Sequence, residues 1–273
     1  MRGSRLRLLP AVAVLALVAV LAPGCSLLDR KSYTFPRVAI DATVNQDGSL
    51  SIVERRTFDF RGEFHFAFFT VEHKQFNDVV EFSVREGEHV YKPGRPGTTG
   101  GTVLEDNVLE GPGGFKFKAT WWFDARDERR TFIISYRVRC AVDPYLDTAH
   151  LLWKFIGEGW TVVTDSAVIA VHLPGKALDV PPRPTSRCIP SVPNGTPGYP
   201  LDRPPRIATS APSRSEVRAW GHGPLQGAVR FARPQKVVLY VSDVPPATFV
   251  EGSILFPLAS VPYLNQPEEP GRQ

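Results

Sequence analysis

The stretch Phe115-Lys116-Phe117-Lys118-Ala119-Thr120-Trp121-Trp122-Phe123 carries the plainest structural signal in the chain. Phe115, Phe117, Ala119, Trp121 and Phe123 fall on one side of an extended backbone, with Lys116, Lys118 and Thr120 on the other, because successive side chains of a strand point to opposite faces. The pattern predicts a strand with one face on a core and one in water. Residues 124–128 are polar and turn-like, and Phe132, Ile134, Tyr136 and Val138 resume the alternation, so the two segments are expected to form a hairpin.

The same period recurs outward in both directions. Val38, Ile40, Ala42 and Val44 alternate with polar or small residues, Asn45-Gln46-Asp47-Gly48-Ser49 turns the chain, and residues 50–60 return. Asp-Gly is a strong hairpin signal, since glycine takes a positive φ at no steric cost. Further strands are expected at 78–85, at Ala167, Ile169, Val171 and Leu173, and at 237–241 and 248–256. No segment after Ser26 holds a helical period over ten residues with caps at both ends. The expected fold is all-β, an antiparallel β-sandwich with a long Pro-rich loop. That loop, residues 174–212, holds eleven prolines and cannot be a central strand. The roughly 50 residues after it are near the size at which a domain cannot stabilise itself, so the last strands are expected to pack on the first sheets.

Composition fits a packed body: 273 residues, 42% apolar and 11% aromatic. The net charge of +4 owes most of its excess to Arg2, Arg5 and Arg7; without them 29 basic residues stand against 28 acidic, a balance of +1. No basic surface for a nucleic acid is implied.

Those arginines precede Leu8 to Ala22, fifteen residues without a charge, followed by Pro23, Gly24 and Cys25. The order of charged, apolar and small residues is that of a secretory signal. As a helix the apolar run would rise roughly 22 Å, short of the roughly 30 Å hydrocarbon core. Leu21-Ala22-Pro23-Gly24-Cys25 resembles a bacterial lipoprotein processing site, with Ala22 where leucine is usual. Its lipidation residue is Cys25, whose acyl chains would tether the protein to the membrane. Ser26 stands where an aspartate would signal inner-membrane retention, which by analogy implies the outer membrane if the host has one. Export leaves Cys140 and Cys188 as disulfide candidates enclosing 47 residues. Closing such a loop stabilises by roughly 3 to 4 kcal/mol in the chain-entropy model; two independent buried thiols are the alternative.

Known reaction signatures are not found. The six histidines form no His-Glu-x-x-His pair, no Gly-x-Ser-x-Gly occurs, and the glycines of 93–101 are not followed by Lys-Ser or Lys-Thr. Glu63, His65 and His73 are a faint metal cluster, read as a solvated strand face. Glu105, Asp124 and Asp127 lie near Trp121 and Trp122 and could serve a polysaccharide hydrolase, in which two acids flank the scissile bond; a polar hairpin tip explains the last two more simply. Trp153 and Trp160 bracket Lys154 to Gly159, and read either as a contact surface for glycan or partner or as core anchors across a bend. No catalytic, cofactor or metal residue is assigned.

Several segments recur together in a known family: Val44 to Leu50, Phe58-Asp59-Phe60-Arg61-Gly62-Glu63-Phe64-His65, Ile134-Ser135-Tyr136-Arg137-Val138, Trp153-Lys154-Phe155-Ile156-Gly157-Glu158-Gly159-Trp160, Leu173-Pro174-Gly175, and Trp220-Gly221-His222-Gly223-Pro224-Leu225-Gln226-Gly227. In that order they resemble the extracytoplasmic domain of the predicted membrane proteins called domain of unknown function 2207, across residues 33–262. The resemblance implies an exported β-rich domain of no established activity, followed in the family by transmembrane helices. Here no apolar run follows Leu264, so attachment is expected through the N-terminal lipid instead.

The expected organisation is a signal peptide at 1–24, a lipidated tether at 25–35, a β-sandwich domain at 36–262 and a flexible tail at 263–273. The expected protein is an extracytoplasmic lipoprotein, a non-catalytic binding or assembly module of the envelope. Its partners would be the membrane, through the lipid, and envelope proteins or glycans; the alternative is a hydrolase of envelope polysaccharide.

Overall fold

The computed structural model describes residues 31–73, 79–109, 115–145, 148–175, 214–262 and 264. They form fifteen strands: β1 (Ser32–Val44), β2 (Leu50–Arg61), β3 (Glu63–His73), β4 (Val79–Glu86), β5 (His89–Pro93), β6 (Gly101–Leu109), β7 (Phe115–Arg126), β8 (Arg129–Val138), β9 (Val142–Pro144), β10 (Thr148–Ile156), β11 (Thr164–His172), β12 (Arg218–His222), β13 (Ala228–Arg233), β14 (Lys236–Val244) and β15 (Val250–Pro257). Apart from them the described regular structure is two short turns of 3-10 helix, Arg214–Glu216 and Leu258–Ser260. The all-β reading holds. Cys25, Cys188 and most of the Pro-rich stretch lie outside the described residues.

Eleven strands form one sheet in the order β13-β14-β11-β1-β2-β8-β4-β5-β6-β7-β3, and four form a second, β12-β15-β10-β9. The large sheet is mixed, a correction to the antiparallel expectation: β1 runs parallel to β11, and β5 to β6. Nothing in the alternation of either strand reports its partner's direction. β1 and β11 are separated by more than a hundred residues, so no tight turn forces them antiparallel. β14 pairs with β11, which joins β13 and β14 to the large sheet, while β12 and β15 lie in the second.

The β1–β2 hairpin forms where the sequence places it, with Val44 opposite Leu50. Within its turn the Gly48 N–H donates to the Asn45 carbonyl at 3.0 Å, and Asp47 accepts from the Ser49 backbone N–H. Gly48 has φ +76°, and a Cβ there would meet Leu264 Cδ1 at 2.2 Å, so two constraints demand glycine.

The second expected hairpin is corrected. β7 pairs with β3 and β6, and β8 pairs with β2 and β4; among the described pairings β7 and β8 do not meet. β2 and β3 are separated only by Gly62, and β7 and β8 only by Asp127 and Glu128. The two ribbons β2–β8 and β3–β7 are thus one long antiparallel ribbon bent at a corner. Both corner residues have positive φ, +85° at Gly62 and 48° at Asp127. The Gly62 N–H donates to Asp127 Oδ1 at 2.7 Å, and the Asp127 N–H to the Gly62 carbonyl at 3.3 Å. Arg129 braces the corner from Asp59 at 2.8 Å.

The bend lays β3 and β7 against β2 and β8, and the core fills the fold. Phe123 and Trp121 meet Phe132, with ring centroids 4.9 and 5.4 Å apart, and Phe69 meets Tyr136 at 5.2 Å. Edge-to-face and tilted ring pairs of this kind add about 0.5–1.5 kcal/mol each beyond their buried area.

Candidate functional site

Beside the corner an open groove of about 320 Å³ separates β3 from the start of β1. Its floor and far wall are Lys31, Tyr33, Phe58, Phe60 and Trp160. Its near wall is six consecutive residues of β3, from Glu63 to Phe68. Consecutive strand residues point to opposite faces, so a groove that touches all six runs along the strand's backbone edge. β3 ends the order of the large sheet, which leaves that edge unpaired among the described strands.

The rings that build the groove are held by each other. Phe64 packs on Phe60 at 4.7 Å and on Tyr33 at 6.0 Å, and Trp160 stands edge-on to Phe35 at 4.8 Å. Phe66 and Phe68, on the outward side of β3, are 52% and 47% exposed, high for phenylalanine. The Lys31 ammonium lies 6.0 Å from the Phe64 ring. At the lip, His65 Nδ1 is 2.8 Å from Asp124 Oδ1, and the Thr99 hydroxyl donates to the other Asp124 oxygen at 3.4 Å.

Behind Trp160 lies a cluster of opposite character. Glu54 and Arg56 sit on the inward side of β2 and are each 1% exposed. Arg56 Nε and Nη2 both reach Glu54 Oε2 at 2.8 Å, and the Tyr136 hydroxyl donates to Glu54 Oε1 at 2.8 Å. The guanidinium lies over Trp160 at 4.7 Å and Phe35 at 5.6 Å. Its Nη1 has no hydrogen-bond partner among the described residues. Burial, and after it the neighbouring carboxylate of Glu54, holds the Tyr136 hydroxyl well above its ordinary pKa of 10.0. Burial also raises Tyr33, against a lowering pull from Arg56.

Of the two tryptophans singled out in the sequence, only Trp160 reaches the groove. Trp153 is 7% exposed and presents no contact surface, because it faces inward from β10. Asp124 and Asp127 are held by different partners: Asp124 is paired with His65, and Asp127 locks the corner. The side chain of Glu105 lies outside the described residues. Glu63 pairs with Arg126 at 3.2 Å, and among the described residues no three His, Cys, Asp or Glu side chains converge on a metal position. Cys140 is buried just after β8, with φ 55°. The Glu54–Arg56 pair was passed over in the sequence. Its signal was there: both sit in the apolar register of Leu50, Ile52, Phe58 and Phe60.

The bent ribbon, its groove and its buried ion pair belong to a body whose residues 34–256 match one family model. The chain belongs to the family described as predicted membrane protein (DUF2207) N-terminal domain. No curated protein matches it. Among solved structures it is similar to a putative nutrient binding protein from Legionella pneumophila, at 8% identity and TM-score 0.38, covering 82% of this chain and 67% of that one. It is similar also to a putative protease from Parabacteroides distasonis, at 10% identity and TM-score 0.37, covering 81% and 40%. An M1 zinc metallopeptidase from Deinococcus radiodurans matches at 11% identity and TM-score 0.36, covering 82% and 42%. The chain thus spans about two fifths of the length of the last two, and likenesses this slight carry no argument about its fold or activity. No helix of the described residues is long and apolar enough to cross a membrane.

Proposed function

We propose that this chain is a lipid-anchored extracytoplasmic protein of the bacterial envelope, tethered through Cys25, which acts as a binding or assembly module without catalysis. Its partners are envelope proteins or glycans, and if the host has an outer membrane it resides there. The observation that supports binding is the aromatic groove, whose walls are rings and a backbone edge and which suits apolar contact. Metabolic labelling with palmitate tests the tether: label is expected on the native chain and not on Cys25→Ser. Absence of label from the native chain overturns it. Crosslinking in intact cells followed by mass spectrometry identifies the partners.

The body is further stapled, in this reading, by a Cys140–Cys188 disulfide. A linked peptide pair in a non-reducing digest, lost on reduction, is the expected result.

The rival, a polysaccharide hydrolase, needs two carboxyl groups flanking the scissile bond; of its candidate acids Asp124 stands beside the groove, paired with His65. Turnover of an envelope glycan by the full chain, abolished in Asp124→Asn with the fold intact, would establish it and displace the non-catalytic reading.

A further inference from the structure

Four features of the molecule meet at one place. The groove runs along a strand edge that is unpaired among the described strands. Phe66 and Phe68 stand out from that strand two residues apart, hence on one face, with half-buried Trp122 opposite Phe66 in the β3–β7 register. A lysine sits at the rim against an aromatic ring. The fourth is distance along the chain. Lys31 lines the groove, and Cys25 is only six residues before it. Six residues span at most about 20 Å when fully extended.

We infer that the surface covering the Phe64–Phe66–Phe68 strip and its groove is the lipid bilayer in which Cys25 is anchored. The inference rests on the lipid-anchored reading given above and names the occupant of the groove. A tether of about 20 Å cannot hold the groove's rim far from the headgroups, since this reach is smaller than the thickness of a single bilayer. The residues at the rim are those that favour that depth. Phenylalanines serve the apolar face of segments that lie in the interface. Tyr33 and Trp160 of the groove are of the two types enriched at membrane–water interfaces, and a lysine among them buries its stem while its ammonium reaches lipid phosphate. Neighbouring charges are partly matched within the protein: Arg126 pairs with Glu63 and His65 stands beside Asp124, while Arg61 and Arg129 share Asp59 and leave one positive charge that lipid phosphate can meet. Approach therefore strips few uncompensated charges of water.

The backbone edge of β3, unpaired among the described strands, sets the depth. Unpaired N–H and C=O groups are not tolerated in hydrocarbon, so the strip seats at headgroup level, where water and lipid polar groups satisfy the edge. Half-exposed phenylalanines gain from partial burial there. Docking by one edge also fixes the orientation of the body and leaves the β13 edge and the four-stranded sheet for protein or glycan partners.

The test uses the full chain in its own cells. The photoreactive residue p-benzoylphenylalanine is placed at Phe66, at Phe68 or at Tyr240, an aromatic of similar exposure (43%) on β14. After irradiation, adducts are identified by mass spectrometry. Phospholipid adducts at 66 and 68 are expected to exceed those at 240 by about tenfold, the factor that corresponds to burial of one half-exposed ring. Parity with position 240, or adducts mainly to protein through strand addition on the free edge, overturns the inference. Palmitate incorporation measured on the same cells reports the anchor separately. Label without lipid adducts at 66 and 68 sinks the docking and leaves the anchored reading standing; no label sinks the anchor and, with it, the docking argument.

Discussion

The two arms of the bent ribbon break the inside-apolar rule in opposite senses. On β2 a carboxylate and a guanidinium sit inside the core at 1% exposure, while on β3, one glycine further along, two phenylalanines stand about half exposed. The difference lies in what each neighbourhood supplies. Glu54 is met by Arg56 and by the Tyr136 hydroxyl, and the guanidinium is covered by Trp160 and Phe35, so the charges are nearly satisfied without water. Phe66 and Phe68 belong to the last strand of the large sheet, and no further described strand lies beyond it. A buried charge thus reports a network nearly satisfied within the chain, and an exposed ring on the last strand reports that no described strand covers it.

Substitutions on the two arms should separate these cases by size of effect. Glu54→Ala leaves the Arg56 guanidinium buried and unpaired. Urea unfolding of the full chain should show a loss of about 3–5 kcal/mol, the usual cost of breaking a buried pair from one side. Replacing both residues with apolar ones of similar volume, Glu54→Leu with Arg56→Met, should cost far less, because the desolvation of both charges disappears. A double variant as unstable as Glu54→Ala would show that the network contributes more than its own satisfaction.

At the corner between the arms, Gly62→Ala puts a Cβ on a residue at φ +85°, 3.2 Å from Lys31 Cγ. Left-handed backbone costs a non-glycine residue about 1–2 kcal/mol, and a shift of that size in the unfolding midpoint is the expected result. Alkaline titration reaches the network behind the β2 arm through Tyr136 on β8, alongside Tyr33 and Tyr91, which burial also raises. The Tyr136 pKa is raised in the folded state, so above pH 10 the unfolded chain releases a proton that the folded chain keeps. Stability therefore falls as pH rises beyond about 10, the unperturbed tyrosine value. Tyr136→Phe should flatten that fall, as read by unfolding midpoints between neutral and alkaline pH. The smallest effect is expected on the other arm: Phe66→Ser with Phe68→Ser should change stability by less than about 0.5 kcal/mol per site, as surface substitutions do. A large loss there would mean that these rings complete an internal contact.

Much of this was legible residue by residue. Alternation located the strands from Val38 to Val44 and from Phe115 to Phe123, and Asp47-Gly48 fixed the first turn because its left-handed glycine is a local requirement. The polar run after Phe123 misled. A turn signature says that the chain changes direction, and it cannot distinguish a hairpin that returns beside itself from a corner at which two strands bend together. That choice at Asp127 was made by Gly62, sixty-five residues away, which holds the same φ sign and bonds it. Trp153 and Trp160 looked equivalent in sequence; β10 turned one inward, and the bend after it set the other beside the groove.

By itself, then, the sequence determined an all-β body, the face each alternating residue takes and the local turn at Gly48, because period and backbone freedom act over a few residues. Only the tertiary structure decided that β1 runs parallel to β11, that the long ribbon folds at Gly62 and Asp127, and that Glu54 and Arg56 could be buried while Phe66 and Phe68 could not. Those outcomes depend on which distant residues arrive as neighbours, and side-chain alternation carries no record of the neighbour.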